Sequence, residues 1–383
     1  MQKKNEHYNM TESSDEFVCW RYTNGQKYLE VRAPDHYTLG LLEGRFLRRK
    51  IWFFKIIIYL MTIPFFFRKR YTYKRFIEIA CHYEEAVEEK YKDLYGDLRD
   101  EMRGMADSIN GISYEDILLQ NTYIELVYGH LIPIHRDFPE IFEFGCTGFA
   151  AIQNDTELEE KTESLEQANT LIGQNFDLSK LFKPTASFVL HKVKGRPKVF
   201  SLRFGSMLSV PTGLNEYGLK MTVNIVKSTI KTHPIIPTGI RTRMGFYLCR
   251  NVEEVYSMLN ETSDSICYNL TVADKEKIIS LEINPYHVVR TDVNEWIVRS
   301  NTFVDPSLQQ YLLRKNYSKK RQKYAEELMK ENYDNKLTEE KLRKILSKKP
   351  KINRSNTVAF FTDKHFGIGG PKASGKNIGK NPL

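Results

Sequence analysis

Two stretches decide how this chain is read: Phe144-Gly145-Cys146-Thr147-Gly148-Phe149-Ala150, and downstream Leu171-Ile172-Gly173-Gln174-Asn175-Phe176-Asp177. Each is a short apolar run punctuated by glycine, which is strand composition. A lone thiol is most often a small buried hydrophobe. Here Cys146 opens its run, Gly145 admits close approach to the backbone, and the second run ends on Asn175-x-Asp177. Adjacent antiparallel pairing of the two runs puts those polar groups beside the cysteine.

Working outward, 1–35 reads as an irregular start with strands at 17–21 and 27–32, and a helix begins at His36. Gly40 and Gly44 share one face of it and leave room for another backbone. Residues 71–106 form a long amphipathic pattern (Phe76, Ile79, Tyr83, Val87, Tyr91), and Ser113 starts a helix over 114–129. Beyond Pro139, strand signals recur at 147–153, 188–193, 198–204, 218–224, 277–283 and 296–300. A helix is read at 252–259, then a charged helical region at 306–348, a last strand at 358–361 and a Gly/Lys-rich tail, 366–383, expected to be loose. Helices, then strands, then helices imply a layered α+β fold rather than alternating βαβ units.

Composition narrows the function. Hydrophobic residues are 41% of the 383 and aromatics 12%, enough for a large core and against a disordered chain. Lys plus Arg number 57 against 48 acidic residues, a net charge of +9, dispersed except at 48–50, 68–70 and a mixed stretch at 314–349. No zinc-finger or RNA-binding signature accompanies them, so nucleic acid is not an expected partner. Cys19, Cys81, Cys146, Cys249 and Cys267 form no CxxC pair, which suggests reduced thiols. Residues 1–16 are polar and lack the apolar run of a cleaved leader, so the expectation is a cytoplasmic protein. No histidine spacing suits a metal, no phosphate loop is present, and no cofactor is expected. Asn260 and Asn269 open glycosylation sequons, relevant only in a secretory compartment.

One segment disturbs the soluble picture. Residues 51–67 are almost wholly apolar, with Lys55 the single charge, Pro64 inside, and basic residues on both flanks. Its length is at the short end of the ~17–25 residues of a bilayer span. Three readings stay open: a span, a buried helix, or an anchor lying at the membrane surface.

The motifs around the cysteine resemble those of the acyl-coenzyme A:6-aminopenicillanic acid acyltransferase family, the isopenicillin-N acyltransferase-like autoproteolytic enzymes (family C45) among the N-terminal-nucleophile hydrolases. Gly145-Cys146-Thr147 looks like the family's self-cleavage motif, and Gly173-Gln174-Asn175-Phe176-Asp177 like its downstream Gly-Gln-Asn-aromatic-Asp. Residues 36–45 look like its first helix, 101–106 and 114–118 like its pre-cleavage helices, and 213–218 like its central hairpin. Arg299-Ser300-Asn301-Thr302 stands where the family has His-Thr-Asn-His, and 51–67 looks like an insertion. The likeness runs from about 36 to 362.

The resemblance implies a four-layer αββα sandwich of two antiparallel sheets, with a mostly helical segment 1–145 and a catalytic segment 146–383 packed as one domain. It implies an enzyme that cuts itself between Gly145 and Cys146, then breaks or transfers an acyl group across a non-peptide amide through an acyl-Cys146 thioester. The freed α-amine, with a pKa near ~7.7–8.0, would serve as base for its own thiol. Asn301 would stabilise the oxyanion, Asp177 would hold the new amine or orient the substrate, Arg354 would pair with Asp177 or a substrate carboxylate, and Asn175 would touch substrate. The partners implied are a small-molecule amide or acyl donor, with acyl-coenzyme A as a co-substrate, and the chain's own 1–145 segment. Two other classes remain: a non-enzymatic relative binding a membrane or partner through 48–70, and an ordinary cysteine peptidase. The site assignment requires Cys146 within roughly 6 Å of Asp177 or Asn301.

Overall fold

The structure, a computed structural model, describes residues 15–69, 71–134, 145–153, 170–232, 236–261, 266–313, 316–333, 337–371 and 378–383. Phe144, Arg70 and part of the expected loose tail lie outside the described residues.

Two sheets carry the fold. In the larger, the strands run β1 (Phe17–Thr23), β2 (Gln26–Ala33), β5 (Ala186–Val193), β6 (Val199–Phe204), β7 (Thr212–Asn215), β8 (Lys220–Ile225), β9 (Tyr268–Ala273), β10 (Ile278–Ile283) and β11 (Val288–Val293). The smaller runs β12 (Trp296–Arg299), β3 (Gly145–Ile152), β4 (Thr170–Asp177), β13 (Thr357–Thr362), β14 (His365–Ile368) and β15 (Gly379–Lys380). The sheets face each other: the Gln174 side-chain amide of β4 donates to the Val223 carbonyl of β8 at 2.7 Å, and Phe366 of β14 meets Phe188 of β5 with ring centroids 4.7 Å apart. Most strands are buried on both faces, which explains why they read as continuous apolar runs.

Helices close both outer sides. Over the larger sheet, α1 (His36–Lys69) packs on β2, β5 and β6, and both α2 (Tyr73–Asp107) and α3 (Tyr114–Glu125) pack on α1. The short α4 (Ile132–Ile134) follows, and α5 (Thr238–Leu248) and α6 (Val252–Glu261) pack on β7 and β9. Over the smaller sheet lie α7 (Asn316–Tyr333) and α8 (Glu339–Leu346). This is the expected αββα order.

Four details differ from expectation. The larger sheet is not wholly antiparallel, because β2 and β5 run parallel; the helices and strands between them supply the long crossover such a pair needs. The apolar segment 51–67 is no separate element but the second half of α1. The third helix stops at Glu125 and gives way to a π-helical stretch, Leu126–Leu131, although its start is the expected capping box between Ser113 and Asp116. The described part of the tail is ordered into β14 and β15, because Phe366 and Ile378 are buried.

The expected close approach at Gly40 is present: a Cβ there would lie 2.0 Å from the Glu101 carbonyl oxygen, and one at Gly104 would lie 2.1 Å from that of Tyr37. The backbones of α1 and α2 therefore touch. That crossing sets Glu43 of α1 and Glu101 of α2 against two fully buried arginines, Arg203 of β6 and Arg243 of α5. Arg203 bonds both carboxylates, and Arg243 reaches Glu101 at 3.0 Å and the Tyr247 hydroxyl at 2.7 Å. His36 and His191 complete the cluster at 3.2 Å from Glu101 and 2.6 Å from Glu43. Burial alone would raise the Glu101 pKa, but Arg243, the His36 hydrogen bond and Arg203 outweigh it and hold the carboxyl well below the ordinary range. Burial, with Arg243, pushes His191 down to about 4, so its imidazole is neutral at pH 7.

Every pair in this cluster except Arg243–Tyr247 and Arg203–His191 joins a residue before Cys146 to one after it, or, at His36–Glu101, joins α1 to α2. Glu101→Gln leaves the arginines partly uncompensated, and breaking such a pair costs about 3–5 kcal/mol. Denaturant unfolding is expected to show a loss of that size at neutral pH. Because Glu101 titrates lower in the folded chain than unfolded, the deficit should shrink as pH falls below the ordinary carboxylate range.

Candidate active site

Cys146 and Asp177 stand at one end of the smaller sheet because β3 and β4 pair antiparallel with Gly145 opposite Asp177 and Cys146 opposite Phe176. Side chains alternate along a strand, so Cys146 and Phe176 face the space between the sheets while Gly145, Asn175 and Asp177 face the α7–α8 layer. Cys146 and Phe176 line an apolar cavity together with Phe54 and Ile58 of α1, Tyr123 of α3 and Ile225 of β8.

Three more side chains converge on the start of β3. The Cys146 backbone N–H donates to Asn301 Oδ1 at 2.7 Å, and Asn301 Nδ2 donates to the Ile225 carbonyl at 2.8 Å. Asn301 follows β12, the neighbour of β3, and Arg321 from α7 donates to the same Oδ1 at 2.5 Å. Two donors on that oxygen settle which way the Asn301 amide points. Asp177 accepts from Thr357, which in turn accepts from the Arg354 backbone N–H at 2.9 Å. A Cβ on Gly145 would lie 2.9 Å from Arg321 Nη1, 3.1 Å from Asp177 Cβ and 3.4 Å from Arg354 Nη1. A side chain at 145 would push these groups back from the peptide that joins residues 145 and 146.

The electrostatics follow from burial. Burial first, and then the Asp177 charge, push the Cys146 thiol up to about 12, against the opposing pull of Arg321, the Asn301 side chain and the Asp177 backbone N–H. Asp177 is pushed up to about 6 by burial, opposed by the Thr357 hydrogen bond and by Arg321 and Arg354. Its Oδ2 is buried without a hydrogen-bond partner among the described residues. A buried acceptor so placed, beside a strand start and two guanidinium groups, can take a further hydrogen-bond donor.

Cys146, Gly145, Asp177, Asn301 and Arg354 are thus brought together. Asn175 is not, and its reading as a substrate contact is corrected: it is fully buried, and its Nδ2 donates to the carbonyls of Leu346 at 2.7 Å and Ile352 at 3.2 Å, tying the end of α8 to β4 on the side away from the cavity. Arg299, which stands where the resemblance described above has a histidine, is turned to Glu282 at 3.5 Å. Sequence reading missed three residues that hold the Asn301 loop. Arg321 is one. Gln322 accepts from the Ser300 backbone N–H at 2.8 Å. Asn269, read only as a sequon, is fully buried and donates to the carbonyls of Ser300 and Thr302 at 2.9 and 2.8 Å, on either side of Asn301. No motif marks them, since each acts on a group distant in sequence.

Comparison with known proteins adds the following. The family model described as acyl-coenzyme A:6-aminopenicillanic acid acyl-transferase matches residues 164–362, just over half of the chain, a range holding Asp177, Asn301, Arg321 and Arg354 and beginning after Cys146. No curated protein sequence matches. Among solved structures, the chain is similar to the Caenorhabditis elegans ortholog of N-acylethanolamine-hydrolyzing acid amidase (16% identity, 62% of this chain and 100% of that one, TM-score 0.45). It is also similar to penicillin V acylase from Agrobacterium tumefaciens (13% identity, 58% and 83%, TM-score 0.39) and to a mutant of the conjugated bile acid hydrolase from Clostridium perfringens (12% identity, 61% and 97%, TM-score 0.36).

Arg321→Met removes both a donor to Asn301 and a positive charge near the thiol. Alkylation of Cys146, followed peptide by peptide across pH, is expected to shift to higher pH in this variant, with Arg321→Lys intermediate because it keeps charge without the planar fork. An unshifted profile in Arg321→Met would mean that Arg321 does not act on the cysteine.

Proposed function

The chain belongs to the acyl-coenzyme A:6-aminopenicillanic acid acyl-transferase family, the N-terminal-nucleophile amidohydrolases and acyltransferases, and from that premise we propose that it matures by cutting itself between Gly145 and Cys146. The supporting observation is the placement of Cys146: directly after Gly145 at the start of β3, backbone N–H on Asn301, thiol toward an apolar cavity.

In the first step Cys146 Sγ attacks the Gly145 carbonyl carbon. A C–S bond forms, the C–N bond breaks, and the thiol proton passes to the departing nitrogen, which becomes an α-amine. Water then opens the thioester, leaving a Gly145 carboxylate and a free thiol. The new amine would occupy the space beside Asp177 Oδ2, the buried acceptor of the intact chain. Arg321 and Arg354 beside Gly145 disfavour a further positive charge and so oppose the Asp177 carboxylate, which favours it; the two arginines would help leave part of that amine unprotonated and able to accept the thiol proton.

In turnover the amine takes the thiol proton as Sγ attacks the amide carbonyl of a substrate. The acyl group passes to sulphur, and the leaving amine takes the proton. Water resolves the thioester in hydrolysis; a second amine resolves it in acyl transfer, with acyl-coenzyme A as an alternative donor. Asn301 would position the nucleophile and, through the second N–H of its amide, supply a donor to the oxyanion; loss of one such donor costs ~10²–10³ in rate. The apolar lining suits a hydrophobic acyl group. After the cut, residues 1–145 would stay in place, because β2 pairs with β5 and the Glu43–Glu101–Arg203–Arg243 cluster spans the break.

Electrophoresis of the purified chain is expected to show fragments of 145 and 238 residues that co-elute under native conditions. Cys146→Ala should leave one full-length band and no amidase or transferase activity, whereas alanine at Cys19, Cys81, Cys249 or Cys267 should leave the cut intact. Two fragments from Cys146→Ala would mean that an outside protease makes the cut. Because burial pushes the thiol up to about 12, its ionised fraction should grow roughly tenfold per pH unit through the neutral and mildly alkaline range. The rate of self-cleavage should rise accordingly, and a flat profile would contradict attack by Cys146.

A further inference from the structure

The outward face of α1 is divided into a basic part and an apolar part. Arg45, Arg48 and Arg49 are exposed, and one helical repeat further on Trp52, Ile56, Tyr59, Leu60, Phe66 and Phe67 continue the same side of the helix. These six are between 38 and 79% exposed. The opposite side of the same turns is core: Ile51, Phe54, Ile57, Ile58 and Phe65 are buried, and Phe54 and Ile58 form part of the wall of the Cys146 cavity. Lys55, the single charge within 51–67, does not interrupt the outer stripe. It bends toward the start of α3, donating to Asp116 Oδ2 at 2.7 Å and to the Gly111 carbonyl at 3.3 Å, with its ammonium 5.0 Å from the centre of the Trp52 ring. Sequence continues the pattern beyond the stripe with Arg68, Lys69 and Arg70. Nearby, on the 3₁₀ segment Lys180–Thr185 packed against α1, Leu181 is exposed between Lys180 and Lys183.

By length and composition α1 is able to cross a membrane. Crossing would strip Phe54, Ile57, Ile58 and Phe65 out of the core and Lys55 from Asp116, so the packing favours a helix lying along a surface over one passing through it. Arginines next to an apolar stripe match the two layers of an anionic leaflet, phosphates outside and acyl chains beneath. We propose that the exposed face of α1 docks the protein on an anionic lipid bilayer, the stripe from Trp52 to Phe67 entering the acyl boundary and Arg45, Arg48 and Arg49 meeting the phosphates. Docked in this way, the helix that touches lipid on one side walls the Cys146 cavity on the other. The inference is independent of the catalytic reading, since it needs neither the cut nor turnover.

The test is co-sedimentation of the full chain with vesicles of phosphatidylcholine alone or mixed with phosphatidylserine. The expected result is binding to the mixed vesicles, weakened by salt, and at least tenfold weaker binding to the neutral ones. Trp52→Ser/Leu60→Ser/Phe66→Ser should reduce binding to the mixed vesicles at least tenfold, and Arg45→Glu/Arg49→Glu should abolish the preference for them. Should the triple variant fail to fold, the unmodified chain still decides the matter: brominated lipids should quench a part of its tryptophan emission that is missing from Trp52→Phe. Absence of binding to mixed vesicles, or quenching identical in the two proteins, overturns the proposal. A wild-type dimer that the triple variant dissociates, without vesicle binding, would overturn it in favour of a second copy of this chain.

Discussion

The hydrogen bond from the Cys146 backbone N–H to Asn301 Oδ1 is the constraint on which the rest of the site depends. It fixes the start of β3 against the loop after β12, so that the thiol faces the cavity and the peptide bond before it faces Asp177 and two arginines. That one oxygen is held in turn from α7 by Arg321, while Asn269 and Gln322 hold the backbone on either side of it. A short strand and a loop would not keep such geometry alone. Fixed hydrogen bonds from the core and the outer helix do, which is the preorganisation that acyl chemistry needs.

The same logic explains the rest of the architecture. On the proposed self-cleavage, a chain cut before Cys146 would have to stay folded afterwards, and the buried Glu43–Glu101–Arg203–Arg243 cluster joins the two sides of that position. Burying these charges is justified only if each is paired, and removing one leaves the others exposed to a low dielectric. Close contact of α1 and α2 at Gly40 and Gly104 makes the pairing possible, because it brings Glu43 and Glu101 to the same arginine.

Much of this is legible in the residues themselves. The strand around Cys146 and the one ending at Asp177 are readable from glycine punctuation, and their pairing from their spacing. Gly40 announces a helix crossing. The charge cluster is not legible, because Glu43, Glu101, Arg203 and Arg243 look like ordinary surface residues until the fold brings them together. Asn175 misleads for the opposite reason: it sits inside a recognisable motif, yet strand alternation turns it toward α8. The tail misleads through its glycines and lysines, although Phe366 and Ile378 are enough to anchor two more strands. The segment 51–67 is ambiguous because hydropathy counts residues without facing them; only the packed helix separates Phe54 and Ile58, which are core, from Trp52 and Phe67, which are not.

The central claim is that a single residue is nucleophile and base once its amine is free. Mass spectrometry of the processed chain, quenched in acid during reaction with a hydrophobic acyl amide, tests it most directly. The account predicts a peptide that begins at Cys146, carries the acyl mass on sulphur and loses it to hydroxylamine. An acyl group on another residue, or a labelled peptide in which Gly145 still precedes Cys146, would contradict it.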